Sequence, residues 1–154
     1  MTDDTYPKTI INSARVARLA TVDLENKPHL VPVVFVYDNN RDFYFIPIDE
    51  KTKRSRPENL KRVKNIKENP KVALLIDEYN EDWTKLYFVI IQGKASVLGG
   101  GKKKLDQTEM SLLKKAHKLL RNKYPQYQKI GIGEYVIMIM PQKVIAWKND
   151  KENG

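Results

Sequence analysis

Four apolar runs limit what this chain can fold into more than any other feature. They are VPVVFVY (31–37), VALLI (72–76), YFVII (87–91) and YVIMIM (135–140). Each is short and rich in β-branched and aromatic residues, which favours strand over helix. Their apolar density exceeds a clean alternation, so these strands need cover on both faces. A barrel interior supplies one cover. Helices or a second subunit must supply the other, which predicts a homodimer.

The segments between them complete the pattern. Residues 5–13 read as a short helix with Ile10 and Ile11 as its contacts. Strands are predicted over 18–23, 29–37, 42–48, 71–79, 85–98 and 135–147. Pro32 donates no ladder hydrogen bond, so its strand has a bulge or an open edge there. A helix is predicted from Pro57 to the Asn69-Pro70 stop. A second helix over 105–124 carries Leu105, Met110, Leu112, Leu113, Ala116, Leu119 and Leu120 near a 3.6 period. Residues 149–154 read as a polar, frayed tail. Six strands joined mostly by hairpins argue for one domain, mainly β with helices: a six-stranded antiparallel barrel.

Composition removes several function classes. The chain has no cysteine, and its two histidines, His29 and His117, lack metal-motif spacing. No nucleophile elbow, phosphate-binding loop or dinucleotide fingerprint is present, and the glycines at 99–101 run into lysines without such spacing. There is no apolar run of about 18 residues to span a membrane. The N-terminus does not resemble a secretory signal, so a cytoplasmic location is the default. With no evident catalytic side chain, the protein either binds without chemistry or positions a cofactor that supplies it.

Charge indicates the kind of ligand. The net charge is +9, which favours anionic partners. Between Lys51 and Lys71 stand nine Lys or Arg and only two acids, Glu58 and Glu68. Cations near a helix start, beside apolar strands, suit an anionic group attached to a flat ring.

Three stretches, ARLATVDLENKPHLVPVVFVYD, FYFIPIDEKTKR and LKRVKNIKENPKVALLIDEYNEDWTKLYFVIIQGKASVL, resemble the pyridoxamine 5′-phosphate oxidase-like flavoproteins. The DEYNEDW turn is similar to the branch that uses the deazaflavin coenzyme F-420. The resemblance covers residues 14–98, with a further match over 140–147. It implies a homodimeric split β-barrel of Greek-key type with cofactor sites in the subunit interface. Val31, Pro32, Val33 and Val34 would then lie beside the cofactor ring. Ile46 and Pro47 would approach the ribityl chain. Lys61 and Arg62 would hold the phosphate, with Lys51 and Lys53 as further candidates. Trp147 would reach the partner's cofactor.

The resemblance therefore implies an oxidoreductase that binds FMN or F-420 and acts on a small-molecule substrate. The sequence also departs from the true pyridoxamine phosphate oxidases. Val31 and Val36 replace an arginine and a lysine of their second strand, and their C-terminal arginine and histidine are missing. These departures argue against vitamin B6 oxidation. The surplus cations favour F-420, whose tail carries a phosphodiester and several glutamates. A flavin carrier or sensor without turnover fits the same residues. Nucleic-acid binding is the weaker reading, because cations and aromatics do not interleave on one strand face; haem handling, known for some split barrels, ranks below it.

Overall fold

The computed structural model describes residues 5–48, 57–100 and 104–149. Seven antiparallel strands form one sheet. In chain order they are β1 (Ala17–Val22), β2 (Pro28–Val33), β3 (Val36–Asp38), β4 (Phe43–Pro47), β5 (Lys71–Glu78), β6 (Tyr87–Leu98) and β7 (Val136–Lys148). The helices are α1 (Thr5–Ser13), α2 (Lys61–Glu68), α3 (Gln107–Lys123) and the short α4 (Tyr127–Ile130). Across the sheet the order is β2-β1-β5-β6-β7-β4-β3.

This order corrects the expected strand count. The predicted strand over 29–37 is two strands, β2 and β3, and they lie at opposite edges of the sheet. Only Val34 and Phe35 separate them. Three residue steps span at most about 11 Å, so the two edges must approach each other. The sheet is therefore curled into a barrel with a seam at Val34-Phe35. β2 is an edge strand, the position in a sheet where a proline such as Pro32, with no N–H to donate, is tolerated.

The seam is held by one side chain at the end of α3. The Tyr124 hydroxyl accepts from the Phe35 N–H (3.2 Å) and donates to the Arg15 carbonyl oxygen (2.8 Å), with the Phe35 carbonyl oxygen 3.0 Å away. Beside it, the Lys123 ammonium sits 3.9 Å from the centre of the Phe35 ring. Burial pushes the Lys123 amine down to about 8, helped by the nearby Arg15 charge.

Two apolar clusters follow from the curl. The barrel interior is filled by Leu19, Phe35, Ile46, Leu74, Ile91 and Ile137, among others. A second cluster lies outside the sheet, where α3 places Ala116 and Leu120 against Phe45, Val136 and Met138. The amphipathic stripe read in the sequence thus covers the outer side of the β3–β4–β7 half. Helix α2 packs near β1 with Val63 and Ile66 in the interior cluster. Among the described residues, no helix is long and apolar enough to cross a membrane.

Candidate functional site

The outer face of the β2–β1–β5–β6 half carries no such cover. Strand alternation points Arg18, Ala20, Leu75 and Ile90 outward while Leu19, Leu74 and Ile91 are fully buried. Large apolar groups stand open in this region: Leu30 is 68% exposed and Trp147 44%. Phe88 faces Trp147 across the β6–β7 ladder, and the two rings stack with centroids 5.6 Å apart. Asp77, opposite Phe88 on β5, pairs with Arg18 at 2.8 Å. The neighbouring turn is tied down by Asn149, which donates to the Trp83 carbonyl oxygen at 2.7 Å. Asn149 is thus anchored, whereas the remainder of the predicted tail lies outside the described residues.

The cationic site forms at the start of α2. Leu60, the N-cap residue, makes no side-chain hydrogen bond to the first-turn N–H groups, the kind of donors that an anion can use. Lys61 and Asn65 lie one turn apart and face β1. The Lys61 ammonium donates to Asp23 Oδ2 at 3.2 Å, and Asn65 donates to the Thr21 hydroxyl at 3.0 Å. Asp23 is buried at the head of the β1–β2 turn. Its other oxygen accepts from the Glu25 N–H (2.8 Å) and the Lys27 N–H (3.0 Å). The Lys27 backbone bond, with Lys61 and Glu25 adding to it against burial, holds the carboxyl below its ordinary range.

The predicted site residues are therefore distributed as follows. Pro32 is exposed on the outer face, Val31 and Val34 are half-buried, and Val33 is buried. Ile46 and Pro47 are buried and pair with Ile137 and Val136 of β7. Lys61 is exposed, Arg62 is half-buried, and Trp147 stands on the outer face. Lys51 and Lys53 lie outside the described residues. Pro32 and Trp147 sit on strands four places apart in the sheet. At about 4.8 Å per strand, that is about 19 Å along its surface.

Sequence reasoning missed two residues of this region. Phe88 is hidden in an apolar run that reads as core, although alternation with Val89 could have turned it outward. Asp23 precedes a turn, where an Asx side chain commonly accepts backbone N–H bonds, but its reach to Lys61 is set only by tertiary structure. The two histidines do not converge. His29 lies on edge strand β2, and His117 lies on α3, where burial lowers its pKa against a backbone hydrogen bond at Gly133.

Comparison with known proteins bears on this geometry. The family model described as pyridoxamine 5′-phosphate oxidase matches residues 7–148. The chain belongs to this family. Among curated proteins, none matches the sequence. Solved structures share the fold at low identity. A conserved hypothetical protein, Rv2991 of Mycobacterium tuberculosis, superposes with a TM-score of 0.69 at 14% identity, covering 97% of this chain and 86% of its own. The haem storage protein HutZ of Vibrio cholerae gives 0.65 at 14%, with 94% of each chain covered. A FAD-binding protein of Mesorhizobium loti gives 0.64 at 16%, again with 94% of each covered. At these identities the likeness establishes the split-barrel fold alone.

Proposed function

We propose that the protein is a cofactor-dependent oxidoreductase that binds FMN or coenzyme F-420 between two copies of the chain. The observation that carries this reading is one cationic helix start, whose N-cap Leu60 makes no side-chain hydrogen bond, on a subunit whose sheet keeps a bare apolar outer face. The first suits a phosphate and the second suits a fused ring. A ring in contact with both Pro32 and Trp147 would have to bridge about 19 Å of one sheet. Two protomers remove that difficulty, with β2 of one meeting the aromatic corner of the other. Family membership and a FAD-binding structural neighbour support a flavin-type ligand.

In this reading the cofactor, when bound, supplies hydride transfer to or from a small organic substrate. The chain's own residues bind and shield. Lys61, Arg62 and the first N–H groups of α2 hold the phosphate, and Asp23 fixes the position of the Lys61 ammonium. The β2 backbone lies along the ring edge. The Phe88–Trp147 stack keeps water from its face, and an apolar, dry wall favours transfer over side reactions. The cations before α2 favour F-420, whose polyglutamate tail needs more positive charge than one phosphate does.

Titration of the purified protein with FMN and with F-420 tests this reading, followed by absorbance and repeated at two salt concentrations. A tighter, salt-sensitive preference for F-420 is expected. Lys61→Ala combined with Arg62→Ala should weaken either ligand at least tenfold, given about 1.5–3 kcal/mol per charged hydrogen bond. Unchanged affinity in that double variant would reject the phosphate site. Binding without turnover across a substrate panel would leave a flavin carrier or sensor instead of an enzyme.

A further inference from the structure

A cavity of about 460 Å³ lies where β6 ends, at the edge of the α3 roof. Strand β6 stops at Leu98, and Gly99 and Gly100 turn the chain with φ of 87° and 103°. Space demands glycine there as well. A Cβ on Gly99 would run into the Glu134 carbonyl oxygen, and one on Gly100 would meet the Tyr135 ring at 2.6 Å. The loop is thus pressed onto the start of β7. The cavity opens between it, the last turn of α2 and the first turn of α3.

Its lining is apolar with two opposite charges. Leu98, Leu112 and Met138 belong to the cluster under α3. Ser96, paired with Met138 across the ladder, adds a half-buried hydroxyl. Glu109 stands three residues before Leu112 on the same face of α3, and Lys67 comes from α2. Neither charged side chain makes an ion pair or a hydrogen bond among the described residues. One cavity therefore holds an anion and a cation that do not neutralise each other. Lys67 lies about 9 Å along α2 from Lys61, and Ser96 about 27 Å along β6 from Phe88. The cavity is on the α3 side of the sheet and uses none of the residues of the proposed cofactor site, so it stands independently of that reading.

We propose that this cavity is a ligand site for a free α-amino acid with an apolar side chain. Such a ligand carries an ammonium and a carboxylate on one carbon, and the cavity offers one partner for each. Glu109 takes the ammonium and Lys67 takes the carboxylate. The Ser96 hydroxyl donates to the one or accepts from the other. The ligand's side chain lies on Leu98, Leu112 and Met138, where its apolar surface leaves water. A simple anion would meet the Glu109 carboxylate, and a simple cation would meet the Lys67 ammonium, so the pair selects a zwitterion. The volume lies in the range of small-ligand pockets.

The test is a titration of the ¹⁵N-labelled full-length protein with leucine, leucine amide, 4-methylpentanoate and glycine, followed by amide chemical shifts. Leucine should give saturable shifts at residues 67, 96–100, 109, 112 and 138. Leucine amide, which lacks the carboxylate, should bind about threefold more weakly, the size of one exposed ion pair. 4-Methylpentanoate lacks the ammonium and should lose about tenfold at half-buried Glu109. Glycine lacks the apolar side chain and should lose about tenfold as well. Glu109→Gln should weaken leucine but not 4-methylpentanoate, a split that misfolding does not produce. Lys67→Gln should remove the difference between leucine and its amide. Ser96→Leu, which fills the cavity, should block binding by a separate route with the dispersed spectrum retained. No saturable shift, shifts centred on Lys61 and Arg62, equal affinity for the four ligands, or a Glu109→Gln protein that loses leucine and 4-methylpentanoate alike would overturn the proposal.

Discussion

The two halves of the outer sheet face are built alike in sequence and finished differently. The β3–β4–β7 half is roofed by α3, and Phe45, Val136 and Leu120 are fully buried there. The β2–β1–β5–β6 half leaves Leu30 and the Phe88–Trp147 stack in the open. Both halves come from similar apolar runs. Two-sided apolarity in a strand therefore specifies that cover is needed, but not what provides it. In this molecule a helix supplies it on one side, and the other side is bare; under the proposed function a ligand and a second copy would cover it.

The contrast can be broken from the covered side first. Leu120→Ala should cost about 3 kcal/mol, as a buried leucine truncated in a packed cluster, read from the urea midpoint at constant slope. A loss below about 1 kcal/mol would mean that α3 is not the roof described. Tyr124→Phe comes next. It strips the hydroxyl from the Phe35 N–H and from two carbonyl oxygens, at about 2 kcal/mol, and it should loosen the seam in hydrogen exchange.

Lys123 gives a smaller, pH-dependent effect. Its folded value of about 8 lies below the ordinary 10.5, so the unfolded chain binds more protons between those values. Stability should therefore rise with pH from about 8 to about 10. The buried charge is fully penalised below that window. Partial exposure and the contact with the Phe35 ring reduce the penalty to about 1–2 kcal/mol. Lys123→Met should be more stable near pH 7 and should lose the slope; equal slopes in the two proteins would refute the burial argument.

On the bare side the expected change in subunit stability is smallest. Ile90→Glu should alter the urea midpoint by less than about 0.5 kcal/mol, as outward substitutions usually do. It should still abolish self-association in sedimentation at micromolar concentration. If the variant unfolds instead, the bare face is core, and the two halves do not differ as argued.

How much of this was legible in the sequence depends on the range of the interaction. Helix α1 was readable because Ile10 and Ile11 sit in a local pattern, and α2 because Asn69-Pro70 ends it. Strands β5, β6 and β7 fall close to their predicted limits. The break at Val34-Phe35 was not readable, since a seam buried in apolar surroundings looks like an uninterrupted strand. Its fastener, Tyr124, reads as the last residue of an amphipathic helix, and nothing nearby announces a bond to a residue 89 positions away. The same limit applies to the site. The run of cations is local and was readable, but the helix start was placed at Pro57, where the chain forms a separate 3-10 turn before α2 begins at Lys61. The Phe88–Trp147 stack and the Asp23–Lys61 pair depend on long-range register and were not readable.

The position of β7 has a consequence for how this chain is made. Tyr44 of β4 pairs with Ile139 of β7, so the β3–β4 hairpin has no neighbouring strand until β7 has left the ribosome. During that interval β4 and β6 both display open edges, the condition under which strands pair with the wrong chain. The last of the seven described strands to be synthesised is the one that joins the two halves. A nascent chain stopped short of Val136 would hold its hairpin and its four-stranded half with no strand ladder between them.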